Sequence, residues 1–289
     1  MDARERIERA LEMALAGRQA MGCPPGLAAA VHYAVFPGGA RVRPRLCLAV
    51  AAACGERGPG IADGAAAAIE LLHCASLVHD DLPCFDDAPT RRGKASVHCA
   101  FGERLAVLAG DALIVTAFEV LGRSAASTPA RLVPLLATIT SSVGMPTGIV
   151  AGQAWECESQ VVLDDYQRAK TGSLFAAAAV AGAQAAGADA TPWRALGERL
   201  GEAYQVADDI QDVASAPEQI GKPTGRDRML GRPSAVEQFG LMGAVQRVKD
   251  LVAAAVEAVP VCAGAGSLRM LIQAESQRIL PRDLARLAA

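Results

Sequence analysis

Aromatic side chains are scarce in this sequence: two Trp, three Tyr and six Phe among 289 residues. β-Branched runs are also few, so the alternating strands of a sandwich or barrel have little to be built from. Alanine dominates and glycine falls mostly at segment ends, which predicts an all-α chain. Excess positive charge is missing too. The formal net charge is −3, which gives no basic footprint for a nucleic-acid partner. The eight cysteines (23, 47, 54, 74, 84, 99, 157 and 262) form no CxxC pair. Most lie in apolar helical text, where a thiol packs as a small hydrophobe; a reducing cytoplasm without disulfides is the expectation. The longest apolar runs, Leu46 to Cys54 and Leu174 to Ala183, are about half of what a bilayer-spanning helix needs. No transmembrane segment is expected, and the positive mean hydropathy of +0.23 reports an alanine-rich core. The charged start, Met1 to Arg6, has no apolar stretch of the kind a secretory signal requires. No low-complexity linker or composition break divides the chain, so residues 1–289 are expected to form one domain.

Against this apolar background one stretch stands out: Asp80-Asp81-Leu82-Pro83-Cys84-Phe85-Asp86-Asp87. Four carboxylates in eight residues follow a segment, Ala65 to Val78, that reads as a buried helix. Pro83 stops that helix, placing Asp80 and Asp81 on its last turn and Asp86 on the loop beyond. The end of a helix is itself partly negative. Burying an unpaired carboxylate costs roughly several kcal/mol, so the cluster calls for a cation. The reading is a Mg²⁺ site; the alternative is a solvated acidic loop.

Helical text continues along the chain. Residues 2–20 are amphipathic, with Ile7, Leu11 and Leu15 on one face. A second helix starts at Pro24-Pro25 and runs to about Phe36, and a third covers 44–54. Between them, Gly38-Gly39 would let the backbone approach a ligand, and Arg41 and Arg43 flank a helix N-terminus, a ready anion site; on these residues alone an ordinary glycine turn with exposed arginines is the stronger reading. The helix from about Ile61 to Leu82 carries the acidic stretch, followed by Arg91, Arg92 and Lys94. Residues 104–123 hold Gly110-Asp111, with Asp111 expected to be buried and hydrogen-bonded. Further helices are expected over Pro129 to Ser142, within Gly144 to Gln160, up to Ala186, over Trp193 to Ala214, and three more in 234–289. Lys170-Thr171-Gly172 interrupts apolar text. Asp208-Asp209-Ile210-Gln211-Asp212 puts Asp208 and Asp212 one turn apart, where like charges repel unless a cation intervenes.

Two acidic clusters facing each other across a central cavity in a bundle of ten or more helices can hold several Mg²⁺ ions. Mg²⁺ completes its shell with water and phosphate oxygens, and the nearby Arg and Lys groups suit a diphosphate. An apolar cavity below takes a hydrocarbon tail. These features describe a site for generating an allylic carbocation.

At these residues the sequence resembles the trans-isoprenyl diphosphate synthases. Their first motif, DDxxxxD followed by RRG, is matched by Asp80, Asp81 and Asp86 with Arg91-Arg92-Gly93. The second, DDxxD, is matched by Asp208, Asp209 and Asp212, preceded by Tyr204-Gln205. Gly152-Gln153, Lys170-Thr171-Gly172 and Gly221 to Asp227 match further segments in order. The stretch HCASLVHDDLPCFDD is similar to the geranylgeranyl diphosphate synthases of bacterial carotenoid and chlorophyll pathways.

The resemblance implies the isoprenoid synthase fold, a cytoplasmic homodimer, and Mg²⁺ bound by Asp80, Asp86 and Asp208, supported by Asp81, Asp209 and Asp212. It implies that Arg91, Lys170, Lys222 and Arg232 hold the allylic diphosphate, and that Arg43, His73 and Arg92 hold isopentenyl diphosphate. Thr171 and Gln205 would turn oxygen dipoles toward the cation. Three positions depart from the pattern: Ala40 stands where Lys is usual, leaving one contact to Arg41 or water; Glu156 stands for Asp; and Arg232 stands for Lys. Ala75 and Ser76, about one turn below the metal site, are small. Shorter-product relatives carry an aromatic side chain there, so geranylgeranyl diphosphate made from farnesyl diphosphate is favoured over farnesyl diphosphate itself. Rival readings find less support. A di-iron site needs a partner for Glu70-x-x-His73, and no second Glu-x-x-His exists. A terpene cyclase needs Ser/Thr and Glu where Asp212 and Ala216 stand. A catalytically silent partner subunit would have lost aspartates that this chain keeps.

Overall fold

Two segments are apolar on every side, the pattern of helices enclosed by others. They are α4 (Pro59–Asp80) and α10 (Ser173–Ala186). In the computed structural model, which describes residues 2–17, 22–36, 38–56, 58–214 and 234–280, α10 is buried at every position from Leu174 to Ala183. Ala65 to Ile69, Leu71, Leu72, Cys74 and Ala75 of α4 are buried with it. Around this pair stand α1 (Ala3–Leu15), α2 (Pro25–Val35), α3 (Val42–Ala53), α5 (Val97–Phe101), α6 (Glu103–Ser124), α7 (Leu132–Val143), α8 (Ile149–Trp155), α9 (Leu163–Gln167), α11 (Arg194–Ala214), α12 (Ala235–Glu257) and α13 (Ala265–Ile279). The chain is all-α, as its composition predicts. α4 packs on α3, α6 and α10; α10 also packs on α3, α7 and α11; α12 covers α11.

Boundaries differ where local chemistry overrides periodicity. α1 is set by a capping box, with Asp2 accepting from Arg4 N–H and Glu5 accepting from Asp2 N–H; it stops at Leu15, short of residue 20. The expected helix in 144–160 is confined to α8. Of the three helices expected in 234–289, the described residues hold α12, broken at Gly240 (φ 70°, ψ 166°), and α13. A two-strand hairpin, β1 (Thr90–Arg91) with β2 (Lys94–Ala95), was not expected. Its turn residues Arg92 and Gly93 have φ 55° and 75°, the left-handed pair that a two-residue hairpin uses. Asp111 is also not where expected: its side chain is 59% exposed, because α6 turns Ala109, Gly110 and Leu113 inward and leaves Asp111 on its open side.

α4 and α6 are long and apolar enough by composition to cross a membrane. α4 is enclosed in the bundle, whereas α6 turns Val107, Leu108 and Val115 outward.

Arg41 ties the front of the bundle together. Its side chain is fully buried in an ion pair with Glu70 of α4 at 2.7 Å and another with Glu8 of α1 at 2.9 Å. Nη2 also donates to the Val35 carbonyl at the end of α2. Burial alone would lower its pKa, but Glu8 and Glu70 outweigh burial and raise it, so the guanidinium stays charged. Its backbone accepts a left-handed φ of 52° to reach this position. Arg41 therefore does not stand in for the lysine missing at Ala40; it is committed to the fold.

Arg41→Met should destabilise the protein by about 3–5 kcal/mol, because Glu70 is left as a buried charge without its partner. Urea unfolding checks this; a loss under about 1 kcal/mol would show that Glu70 is solvated or protonated instead.

Candidate active site

The four carboxylates of the first acidic stretch go three ways. α4 ends at Asp80, and the following turn folds back through Asp86 N–H to Asp80 O (2.9 Å) and Ala88 N–H to Asp81 O (3.2 Å). This brings the Asp86 side chain to the same cavity as Asp80. Asp81 points elsewhere, since consecutive helical residues lie about 100° apart. It is 2% exposed and takes a two-nitrogen grip from Arg91, with Nη2 and Nε at 2.5 and 2.9 Å from Oδ1. Asp81, expected to support the metal site, is placed as the anchor of Arg91. Arg91 in turn reaches Asp80 at 3.5 Å and lines the cavity. The acids around it outweigh the effect of burial and hold its pKa above the ordinary value. Asp87 turns outward, 64% exposed, 3.8 Å from His98.

The other cations of this region are placed structurally. Lys94 Nζ donates to the Tyr33 and Phe36 carbonyls at 2.8 and 2.9 Å, satisfying the orphan acceptors at the end of α2. The glycine pair expected to face a ligand faces side chains instead. A Cβ on Gly39 would lie 2.9 Å from the Arg92 guanidinium, and one on Gly38 would collide with that of Arg41. Arg92 is not among the residues lining the cavity; it lines a separate small pocket with Cys74, Val78 and Lys94.

On α11 the second acidic motif divides in the same manner. Asp208 and Asp212, one turn apart, line the cavity. Asp209, between them, accepts from Gln205 Nε2 at 3.0 Å and from the Ala235 backbone N–H at 2.8 Å. Through the latter bond it caps the first turn of α12.

Lys170 and Thr171 sit in a π-helical turn, Arg168–Gly172, between α9 and α10. Such wide turns cluster at functional sites. Gly152 of α8 lies against this turn; a Cβ there would be 2.4 Å from Lys170 Cα. Lys170 Nζ bridges Asp80 Oδ1 at 3.2 Å and Glu156 Oε1 at 2.5 Å. Thr171 Oγ1 donates to Gln205 Oε1 at 2.6 Å, so its lone pairs are left for the cavity. Carboxylate oxygens of Asp80, Asp86 and Glu156 all lie within 4.8 Å of one another. That all-oxygen set fits a hard cation such as Mg²⁺. Glu156 was legible only as a departure from a motif, and Tyr166, which donates to it at 2.7 Å, carried no signal at all in the sequence.

At the opposite wall, Arg43 lies over the Phe175 ring at 4.5 Å, and Phe175 stacks on Tyr204. Arg43 Nη1 approaches His73 Nε2 at 3.4 Å. A guanidinium only donates, so Nε2 accepts and the imidazole is neutral. Burial, then Arg43 and Arg92, push the His73 pKa well below the usual histidine range. Burial also lowers the pKa of Arg43, and its Nε is buried with no partner, an orphan donor of the kind that marks an absent ligand. The cavity between these walls, about 310 Å³, is lined also by Ser76, Leu77, Ile149 and Leu174. Ala75, expected beside Ser76, is 1% exposed and packed in the core. Lys222 and Arg232 lie outside the described residues.

Comparison with known proteins finds similarity over nearly the whole chain. Residues 24–260 match the family model described as Polyprenyl synthetase. The geranylgeranyl diphosphate synthase of Cereibacter sphaeroides is 52% identical over 97% of this chain and 98% of its own. That of Rhodobacter capsulatus is 49% identical over 96% of each. Among solved structures, geranyltransferase from Helicobacter pylori complexed with magnesium and isoprenyl diphosphate superposes with a TM-score of 0.83, at 28% identity, covering 96% of both chains.

A neutral His73 has a consequence for pH. Its folded pKa is depressed, so below about pH 6.5 the unfolded chain binds a proton that the folded one refuses, and stability falls as pH falls. The slope is about 1.4 kcal/mol per pH unit per proton. His73→Gln should lose less stability than the parent between pH 6.5 and 5, by up to about 2 kcal/mol in urea unfolding. Parallel losses would place a proton on His73 in the folded state.

Proposed function

We propose that this chain, which belongs to the polyprenyl synthetase family, is a geranylgeranyl diphosphate synthase that joins isopentenyl diphosphate to farnesyl diphosphate. The carrying observation is one cavity lined by Asp80 and Asp86 from the end of α4, Asp208 and Asp212 from α11, and Arg43, Arg91 and Lys170. Asp80, Asp86 and Asp208 would hold Mg²⁺, which neutralises the diphosphate and assists its departure.

Lys170 and Arg91, preset against Asp80, hold the allylic diphosphate as its C–O bond breaks and the electron pair leaves with it; this is electrostatic stabilisation of developing charge. Lys222 and Arg232 would add to the same shell. Arg43, with His73 accepting from it and Phe175 beneath it, holds isopentenyl diphosphate. Arg92 supports that side from behind the wall. The Thr171 hydroxyl and the Gln205 amide turn oxygen lone pairs toward the allylic carbon. The double bond of isopentenyl diphosphate attacks, and a proton passes to the released diphosphate, leaving a product one isoprene unit longer.

Supporting features extend the reading. All eight cysteines are free, in keeping with a cytoplasmic enzyme. The outward Val107, Leu108 and Val115 of α6 suit the interface of a homodimer. Residues 1–289 would then act as one catalytic domain per protomer.

The direct test is chromatography of products from purified protein, Mg²⁺, isopentenyl diphosphate and farnesyl diphosphate. A twenty-carbon product is expected; none from any allylic starter would refute the reading. Ser76→Phe should shorten the product, because Ser76 lines the cavity. Ala75→Phe should instead lower stability by about 1–3 kcal/mol through overpacking. A shortened product from Ala75→Phe alone would move the floor of the cavity to residue 75. For the dimer, Leu108→Asp with Val115→Asp should halve the mass seen by light scattering, and an unchanged mass would remove α6 from the interface.

A further inference from the structure

Tyr166 is 7% exposed at the end of α9 and lies on the cavity wall. Its hydroxyl donates to Glu156 Oε1 at 2.7 Å, the same oxygen that takes Lys170 Nζ at 2.5 Å. The two donors are four residues apart, across the junction from α9 into the π-helical turn, so one face of that junction grips one carboxylate oxygen. Gln153 Nε2 donates to the other oxygen at 3.2 Å. Glu156 is therefore held at both ends.

We propose that Tyr166 is a positioning residue whose hydroxyl fixes the Glu156 carboxylate, so that Lys170 stays between Glu156 and Asp80 at the wall where the allylic diphosphate binds. This rests on reading the cavity as a diphosphate site. The need for the hydroxyl follows from charge. A Glu156 oxygen lies within 4.8 Å of oxygens of both Asp80 and Asp86, and like charges at that range repel. A swinging Glu156 draws Lys170 off Asp80. A phenol hydroxyl adds no charge, yet it occupies one lone pair and sets the carboxylate's direction. Lysine is a flexible point charge; held in advance, it loses less freedom on meeting an anion. The Tyr166 ring, 5.9 Å from Lys170 Nζ, closes the third side.

Tyr166→Phe keeps the ring and removes the hydroxyl. The KM for farnesyl diphosphate should rise about tenfold, in line with losing a hydrogen bond to a charged group. The KM for isopentenyl diphosphate should stay unchanged, and the Tm should fall by no more than about 2–4 °C, as the loss of one buried hydrogen bond implies. In a Glu156→Gln background the same change should add almost nothing, because the hydroxyl acts through that carboxylate. Calorimetric affinity for inorganic diphosphate in Mg²⁺ should fall by a similar factor, a readout independent of turnover. A parent protein that makes no product but binds diphosphate with this Tyr166 dependence would sink the proposed reaction and leave the positioning role standing. The role is overturned by unchanged KM and affinity, by an equal rise in both KM values, by a larger fall in Tm, or by an undiminished effect in the Glu156→Gln background.

Discussion

Asp80 and Asp86 on one wall of the cavity, and Asp208 and Asp212 on another, set the constraint on which the rest of the structure depends. Oxygens of Asp80, Asp86 and Glu156 lie within 4.8 Å of one another, and like charges at that range repel unless positive charge is supplied. Part of it is built in: Lys170 and Arg91 both reach Asp80, and Glu156 takes a share of Lys170. In the proposed function a divalent cation would meet the remainder, and a diphosphate would find the same cations already in place.

A second regularity runs through the site. At each doublet of like residues one member faces the cavity and its neighbour secures the fold. Asp80 lines the cavity while Asp81 anchors Arg91. Asp208 lines it while Asp209 caps α12. Arg41 and Arg43, two residues apart, divide likewise: Arg43 lines the cavity and Arg41 ties α1, α2 and α4 together. A helical turn of about 100° per residue points neighbouring side chains in different directions, and at the two acidic doublets one carboxylate reaches the cavity while the other braces the fold.

That division explains what was legible beforehand. Helix content, the buried character of α4 and α10, and the two acidic centres follow from periodicity and from carboxylates beside apolar text. The roles of Asp81 and Asp209 did not, because adjacency in sequence does not say which neighbour turns inward. Gly38 and Gly39 pointed to a ligand, but their missing Cβ atoms make room for Arg41 and Arg92, a packing that only the fold can show. Asp111 was expected inside because its neighbours are apolar; one open helix face reversed that. Tyr166 was silent because its partner, Glu156, lies ten residues away at the end of α8, a spacing that pairs no side chains by periodicity.

The central claim is that the acids and cations of this cavity form a site that takes up diphosphate together with Mg²⁺. Calorimetric titration of inorganic diphosphate into the protein, with Mg²⁺ and with chelator, tests it most directly. Binding is expected with Mg²⁺ and not with chelator, and Asp208→Asn should weaken it at least about tenfold. Equal binding in chelator, or binding indifferent to Asp208, would contradict the account.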